Sequence, residues 1–405
     1  MIWQKEFGQA NRTNTDYILA AIVVLVAIGF FFKKPILFLI VGLFAAYLLL
    51  NKLYDKKIGG KLELKNHRQV LRMFPGDHAE IQFELQNRSI FPIINGELQF
   101  QTDQAIKATN YVESANKHWN QFHMPLSVIG KGKVTITLPI RAEKRGTSRV
   151  KNIQYLFPHL LNFDNVTLKY NPFFYTEYVV YPKLLPVKGL ESLSYVTPGS
   201  QRTNFSPYED LQSLRGTRTY SYQDPFHRIN WKASAKTQEL QTNVYERVVD
   251  MSYLFLVNIG VTHGLNIAQL TRNLEDLLSH TAYLCEYATK QGVSFEIAIN
   301  ARKPGKTPYV FLPEGEGKTH YVHALELLAR VHPQAMVIPF EQMLYRVGQK
   351  FNKPKTIIVL GEIPAGAVQM MDNWKYKQKN IFHVETVADG AYMKRWEKSE
   401  LDHAK

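Results

Sequence analysis

Cysteine is almost missing from this chain, since Cys285 is the only one in 405 residues. A single thiol excludes an internal disulfide and a thiolate metal cluster, and it suits a reducing compartment. The chain also lacks a Gly-x-Ser-x-Gly nucleophile motif, and no two carboxylates share a context for acid–base chemistry. We therefore expect no enzymatic activity and no cofactor, and we interpret Cys285 as a residue packed in an apolar core.

Negative charge is the second shortage. Lysine and arginine number 49 against 35 aspartates and glutamates, so the formal net charge is +14. Such an excess points to a polyanionic neighbour, either nucleic acid or an anionic lipid surface. The length predicts two or three domains, and a hydrophobic content of 45% excludes global disorder.

Two long apolar runs lie near the N-terminus. Residues 17–32 read YILAAIVVLVAIGFFF and residues 36–50 read ILFLIVGLFAAYLLL, with Lys33, Lys34 and Pro35 between them. They predict a transmembrane helical hairpin over 17–54, after a tail of residues 1–16. Each run is shorter than the roughly 20 residues that a spanning helix prefers, so we expect local thinning of the bilayer. The alternatives are a hairpin buried in a soluble core and a signal peptide, although no cleavage pattern of small residues separates the runs.

The charges beside these runs predict their orientation. A cluster of lysines follows the second run, whereas only Lys33 and Lys34 lie between the two. By the positive-inside rule the larger cluster is cytoplasmic, so we expect a two-pass cell-membrane protein with a cytoplasmic N-terminus and cytoplasmic C-terminal domains. The lysines expected to contact anionic headgroups are Lys52, Lys56, Lys57 and Lys61.

The middle of the chain alternates apolar and polar residues. Residues 78–87 read HAEIQFELQN, and residues 96–102 and 133–142 repeat this period of two. Short strands separated by turns predict an antiparallel β-sandwich over 60–184, with 175–187 as its last strand.

From residue 250 onwards the pattern changes. An apolar run at 253–259 and further expected strands at 294–299, 356–361 and 381–384 alternate with helical periodicities. This order predicts an α/β domain over 250–405 with a doubly wound sheet. Residues 185–249 then form a linker between the two bodies.

Two signals in the α/β domain resemble known chemistry. Gly317, Lys318 and Thr319 follow an expected strand and open a helix, as at the end of a phosphate-binding loop. The full motif needs a glycine where Leu312 stands, so an ordinary strand-to-helix turn is the competing interpretation. The spacing of His320, His323 and Glu326 suits either a metal or a solvated helix face.

The predicted linker contains RTYSYQDPFHRINWKASAK, residues 218–236. This stretch resembles the signature of the domain-of-unknown-function 58 family, which runs Arg-x-Tyr-x-x-Gly-Asp-x-x-Arg-x-Ile-x-Trp-Lys-x-Ser-Ala-Arg. The residues that match in register are Arg218, Tyr220, Asp224, Ile229, Trp231, Lys232, Ser234 and Ala235. Gln223, His227 and Lys236 depart from the signature, and Arg228 follows His227 directly.

The resemblance implies an architecture that covers the chain: two membrane helices, a β-rich domain, this motif, and a domain similar to the von Willebrand factor A fold. Domains of that fold often bind a divalent cation through Asp-x-Ser-x-Ser after the first strand. Here Asn258, Gly260 and Thr262 occupy those positions, so neither the carboxylate nor the first hydroxyl is present. We therefore predict a degenerate site without strong metal binding.

The resemblance also implies partners, namely a MoxR-type AAA+ ATPase and a transglutaminase-like membrane protein. Our leading hypothesis is a membrane-anchored adaptor or scaffold that docks a cytoplasmic partner through the motif, with Arg228, Trp231 and Lys232 at the contact. Alternatively, Trp231 packs between two domains. A second hypothesis is a membrane-tethered hydrolase or NTPase that uses the turn at Gly317.

A third hypothesis is nucleic-acid binding, which we consider unlikely. The basic residues on which it depends are Lys131, Lys133, Arg141, Lys144, Arg145, Arg149 and Lys151.

Overall fold

A computed structural model describes residues 2–108, 112–115, 119–162, 164–194, 209–247, 252–263, 267–351, 355–377, 380–387 and 390–397. The chain divides into two compact units, Met1–Tyr181 and Pro182–Lys405. The first unit therefore ends close to residue 184, where the sequence predicted the end of the β-sandwich. The predicted linker is part of the second unit.

The first unit holds two long helices and a series of strands. The helices are α1 (Gln9–Phe32) and α2 (Pro35–Lys57). The strands are β1 (Trp3–Phe7), β2 (Leu62–Leu64), β3 (Val70–Met73), β4 (His78–Asn87), β5 (Ile93–Asp103), β6 (Ile106–Ala108), β7 (Val112–Ala115), β8 (Trp119–Val128), β9 (Lys133–Ala142), β10 (Gly146–Arg149), β11 (Lys151–Pro158), β12 (Asn165–Tyr170) and β13 (Glu177–Val180).

Both helices are longer than the apolar runs within them. They contain 24 and 23 residues, because polar residues extend α1 at its start and α2 at its end. At about 1.5 Å per residue each helix is longer than the roughly 30 Å of a bilayer's hydrocarbon core, but the added residues are mostly polar, so local thinning of the bilayer stays a prediction. Only 6% of the residues in either candidate span are buried. Both helices could therefore span a membrane, and their exposure does not fit a hairpin buried in a soluble core.

The N-terminal residues join a sheet instead of forming a separate tail. Strand β1 pairs antiparallel with β12, from Trp3 opposite Tyr170 to Phe7 opposite Val166. The ammonium of Lys5 also donates to the carbonyls of Asp55 and Lys56 at the end of α2, both at 3.2 Å. The start of α1 and the end of α2 consequently lie at the same end of the β-rich body.

The strands of the first unit form several sheets. One sheet has the order β1-β12-β11-β5-β8-β7, another has the order β2-β4-β9-β6, and a third has the order β10-β13-β3 with β13 and β3 parallel. The first two sheets are antiparallel and share one apolar core, in which Phe83 of β4 packs on Phe100 of β5 at 4.7 Å between ring centroids. The strands predicted at 78–87 and 133–142 are confirmed, because alternate side chains of each enter this core.

The second unit is built around a mixed sheet. Its helices are α3 (Glu191–Ser194), α4 (Trp231–Thr237), α5 (Leu274–Lys290), α6 (Gly317–Ala329), α7 (Phe340–Gly348) and α8 (Ala365–Lys377). Its strands are β14 (Val187–Lys188), β15 (Glu209–Thr219), β16 (Gln241–Arg247), β17 (Ser252–Val257), β18 (Gly260–His263), β19 (Ile267–Leu270), β20 (Phe295–Arg302), β21 (Tyr309–Gly315), β22 (Lys355–Leu360), β23 (Asn380–Val387) and β24 (Gly390–Arg395).

The main sheet has the order β14-β24-β23-β22-β17-β20-β21, and its four strands from β23 to β20 run parallel. Leu254 and Leu256 of β17 pack with residues of α7 and α8, whereas Phe255 contacts Phe295 of β20, which in turn contacts His320 of α6. Helices therefore cover both faces, which is why β17 and β22 are buried along their whole length. The strands predicted at 253–259, 294–299 and 356–361 are confirmed as β17, β20 and β22.

The residues predicted as a linker are largely structured where the structure describes them. Strand β14 pairs with β24 at the edge of the main sheet, so residues 187–188 belong to the second unit. Strands β15 and β16 form an antiparallel ribbon, and residues 195–208 lie outside the described part. The alternation that marks a strand was present in neither ribbon strand, so the sequence did not reveal them.

Candidate functional site

The family-like motif forms the connection between the two ribbon strands. Arg218 pairs with Thr242 at the end of the ribbon, and the Tyr220 N–H donates to the Leu240 carbonyl at 2.7 Å. We call residues 220–240 the motif connection. It contains a 3₁₀ turn at Phe226–Arg228 and helix α4, so it is an ordered surface element.

Asp224 fixes the first half of the motif connection. Its carboxylate accepts from the Arg218 guanidinium at 2.6 Å and from the Ser221 N–H at 2.9 Å. The Tyr220 hydroxyl donates to the Asp224 carbonyl at 3.2 Å. The Ser221 N–H, followed by the Arg218 guanidinium, lowers the pKa of Asp224, because both favour the charged carboxylate. Three of the matched motif residues are therefore used to hold the connection itself.

Asn230 and Ser234 fix the second half. The Asn230 side chain caps α4 by accepting from the Ala233 N–H at 2.9 Å. The Ser234 hydroxyl accepts from the Gln241 N–H at 2.8 Å, which joins α4 to strand β16. Ile229 is buried, and it anchors the chain between the 3₁₀ turn and the helix.

Three aromatic side chains of the motif connection remain exposed. Tyr222, Phe226 and Trp231 have exposures of 98%, 69% and 62%. The rings of Phe226 and Trp231 contact each other edge to face, with 6.0 Å between centroids. We call these three residues the aromatic face. Lys232 and Lys236 are exposed beside it, and the Arg228 guanidinium lies 5.9 Å from the Tyr245 ring centroid.

This arrangement is suited to binding a macromolecule. Large aromatic side chains and arginine dominate the energetics of protein–protein contacts, and here they are presented on a connection that its own hydrogen bonds hold in place. Residues 218–236 carry four cations and one carboxylate, and that carboxylate is already paired with Arg218. A surface with this excess of positive charge is complementary to an acidic one.

The residues expected to form a degenerate cation site lie in the second unit, where β17 ends. The Asn258 side-chain oxygen accepts from the Gly260 N–H at 3.0 Å and from the Asn300 amide at 2.7 Å. The Asn258 amide donates to the Glu362 carbonyl at 2.5 Å. Asn300 also accepts from the Ile259 N–H at 2.8 Å and donates to the Ile338 carbonyl at 3.1 Å. Both amides are buried, and their hydrogen-bonding capacity is used inside the protein.

A cleft of about 340 Å³ opens beside this asparagine pair. Asn258, Gly260, Glu362, His383 and Glu385 contribute to its wall. It lies past the carboxyl ends of the adjacent parallel strands β17 and β22, where α/β sheets commonly bind ligands. Within the described residues no group of three or more His, Cys, Asp and Glu side chains is arranged to hold a metal. The side chain of Thr262 lies outside the described residues.

Asn300 is a site residue that the sequence analysis missed. A signal was present, because this asparagine directly follows the strand predicted at 294–299. Only the fold, however, brings it within hydrogen-bonding distance of Asn258.

The turn at Gly317 differs from a phosphate-binding loop. Strand β21 ends at Gly315 and helix α6 begins at Gly317, so a single residue separates them. This leaves no loop of backbone N–H groups long enough to surround a phosphate. His320 donates from Nε2 to the Phe295 carbonyl at 2.8 Å and packs on the Phe295 ring. It holds α6 against the sheet.

The predicted basic residues fall into separate groups. Lys52, Lys56, Lys57 and Lys61 are all exposed around the end of α2. Of the residues considered for nucleic-acid binding, Lys133 and Arg141 lie at opposite ends of β9, and Arg145 is buried. Arg149 and Lys151 form ion pairs with Glu177 and Asp103. These residues do not form one continuous patch.

Comparison with known proteins gives little information. No family model matches the chain, and no curated protein matches it. A non-cellulosomal cohesin from the archaeon Archaeoglobus fulgidus is 7% identical with a TM-score of 0.20, over 30% of this chain and 91% of the cohesin.

The cohesin ScaC of Acetivibrio cellulolyticus is 10% identical with a TM-score of 0.20, over 29% of this chain and 98% of the cohesin. A β-glucosidase from Listeria innocua is 10% identical with a TM-score of 0.17, over 29% of this chain and 16% of the enzyme. Similarity at these TM-scores carries no argument about fold or function.

Proposed function

We propose that this protein is a membrane-anchored adaptor that docks an acidic protein partner through the aromatic face. In this proposal α1 and α2 cross the cell membrane, the β-rich body is a β-sandwich next to the bilayer, and the second unit carries the docking surface. The observation that carries the proposal is the exposure of Phe226 and Trp231 on an otherwise internally bonded connection.

The two-pass topology is supported by the pairing of β1 with β12. Residues on both sides of the hairpin share one sheet, which favours an even number of membrane crossings. The exposed lysines at 52, 56, 57 and 61 favour the cytoplasmic side for this end, where they meet anionic headgroups.

The family resemblance of residues 218–236 supports the same function. It implies membership of the domain-of-unknown-function 58 family and a second unit of the von Willebrand factor A type. It also implies a MoxR-type AAA+ ATPase as the docked partner and a transglutaminase-like membrane protein as part of the assembly. A sheet with four parallel strands and helices on both faces is compatible with that second unit.

Affinity capture from detergent-solubilised native membranes tests the docking function. The full chain is compared with Trp231→Ala, Phe226→Ala and the charge reversal Lys232→Glu. We expect one partner to be lost or strongly reduced in all three, because truncating a central aromatic anchor costs about 2 kcal/mol or more. Binding of the purified partner is then measured directly, and it should weaken as salt increases.

Trp119→Ala is the matched control, since Trp119 is an exposed tryptophan of the first unit. This variant should keep the partner. Recovery of the same set of proteins from wild type and all three motif variants would contradict the docking function. Circular dichroism of each variant verifies that the fold is retained.

A further inference from the structure

Three loops of the first unit lie beside the start of α1 and the end of α2. They are the β4–β5 loop (88–92), the β8–β9 loop (129–132) and residues 159–162 of the β11–β12 loop, and we call them the hairpin-proximal loops. The Lys131 N–H donates to the Ser89 carbonyl at 2.8 Å, which joins the first two.

Helix α2 packs directly against these loops. The Tyr54 ring lies 5.3 Å from the Phe91 ring and 4.3 Å from the His159 ring, between centroids. His159 accepts the Leu161 N–H at Nδ1 and donates from Nε2 to the Asp55 carboxylate at 2.9 Å. Buried aromatic contacts and a buried hydrogen bond therefore set the position of the loops relative to the helix.

The tips of these loops carry exposed aliphatic side chains. Ile90 is 75% exposed and Ile129 is 68% exposed, and Leu160 and Leu161 are also exposed in part. Adjacent loops seldom present such large aliphatic residues to water unless they contact another surface.

The apolar surface of α2 continues to the same level. Leu49, Leu50 and Leu53 are exposed, and Leu53 directly precedes the Tyr54 that packs on the loops. At about 1.5 Å per residue, the loops lie within about 6 Å of Leu50 along the helix axis. The headgroup layer on each side of a bilayer is of comparable thickness, about 5–8 Å. If the helices span a bilayer, the loop tips are therefore at headgroup depth.

Cations surround this end of the unit. Lys52, Lys56, Lys57, Lys61 and Lys131 are exposed there, whereas the carboxylates of Asp55 and Glu63 are bonded to His159 and Arg88. Aliphatic tips surrounded by lysines match the boundary between acyl chains and anionic headgroups.

We propose that the hairpin-proximal loops form a membrane-contact site, in which Ile90, Ile129, Leu160 and Leu161 enter the interfacial layer of an anionic bilayer. The β-rich body then rests on the membrane instead of projecting from it on the helices. This inference depends on the membrane anchoring proposed above, and it is independent of the partner.

Depth-dependent fluorescence quenching tests the site in the full chain. Single cysteines replace Ile90 or Ile129 in a Cys285→Ala background, carry an environment-sensitive dye, and are reconstituted in nanodiscs of equal parts phosphatidylcholine and phosphatidylglycerol. Lipids with a spin label near the headgroup act as quenchers. We expect a blue-shifted emission and quenching several-fold stronger than at Phe173→Cys, an exposed position on the β12–β13 connection at the opposite end of β12.

Leu43→Cys, in the middle of α2, separates the two proposals. Quenching at Leu43 by acyl-chain labels, with Ile90 and Ile129 no more quenched than Phe173, overturns the contact site and leaves the anchor intact. Absence of quenching at Leu43 overturns the anchor and the contact site together. Equal quenching at Ile90 and Ile129 in pure phosphatidylcholine overturns the requirement for anionic lipid.

Discussion

Two polar clusters of the second unit differ in the side chains that their hydrogen bonds leave exposed. Around Asn258 and Asn300 every bond points inward, and both side chains are buried. Around Asp224 the bonds are also internal, but they fix a connection on which the Tyr222, Phe226 and Trp231 rings are exposed. The first cluster closes the end of a sheet, and the second presents a surface. The role of a motif is therefore inferred better from the side chains that its hydrogen bonds leave exposed than from its residue types.

The largest difference should appear in stability at the buried cluster. Asn300→Ala leaves the Ile259 N–H and the Ile338 carbonyl without their partner, so we expect the free energy of unfolding to fall by about 3 kcal/mol. Urea unfolding of the full chain measures this. Asn373→Ala, at an exposed position of α8, should change it by no more than about 0.5 kcal/mol. Equal losses of stability in Asn300→Ala and Asn373→Ala would show that the buried cluster stabilises the fold no more than an exposed position does.

A smaller effect is expected at the aromatic face. Trp231→Ala should alter the free energy of unfolding by only about 0.5 kcal/mol, because the ring is mostly exposed. Trp374→Ala is the comparison, since the Trp374 ring packs on Phe351 at 4.9 Å and its loss should cost about 2 kcal/mol or more. A large loss of stability in Trp231→Ala would assign the ring a packing role instead of docking.

The third effect is a local dependence on pH at Asp224. Its pKa is lowered in the folded state, so its contribution to stability is complete above the unfolded pKa and is lost as pH falls through the folded pKa. Carboxyl NMR should give a midpoint below the ordinary aspartate value. Arg218→Gln should raise that midpoint only part of the way, because the Ser221 N–H still donates. Lys232→Gln should move it much less, and an ordinary midpoint in the wild type would contradict the network.

The smallest expected effect is none. Magnesium or manganese should not raise the thermal unfolding midpoint. Asn258 stands where a cation site would have a carboxylate, and its amide oxygen already accepts two hydrogen bonds. Calorimetric titration of the full chain measures uptake directly. Tight stoichiometric binding that disappears in Asn258→Ala would show that the cluster opens to take a cation.

Local patterns accounted for the regular parts of both units. The period of two in residues 78–87 and 133–142 identified β4 and β9, and unbroken apolar runs identified β17 and β22. Helices α7 and α8 were missed, because α7 has only nine residues and follows Pro339 without a side-chain N-cap, and α8 has a poor helix former, Gly366, at its second position. The motif itself was visible in the sequence, but its division into supporting and exposed residues was not.

The sequence by itself determined the two apolar helices, the main strands and the stretch that carries the motif, because each depends on neighbours a few residues apart. Tertiary structure alone decided that β1 pairs with β12, that Asn300 meets Asn258, and that Trp231 faces outward while Ile229 faces inward. These outcomes depend on which distant segments meet when apolar surface is buried and backbone groups are paired. The periodicity of a sequence carries no information about which distant segments come into contact.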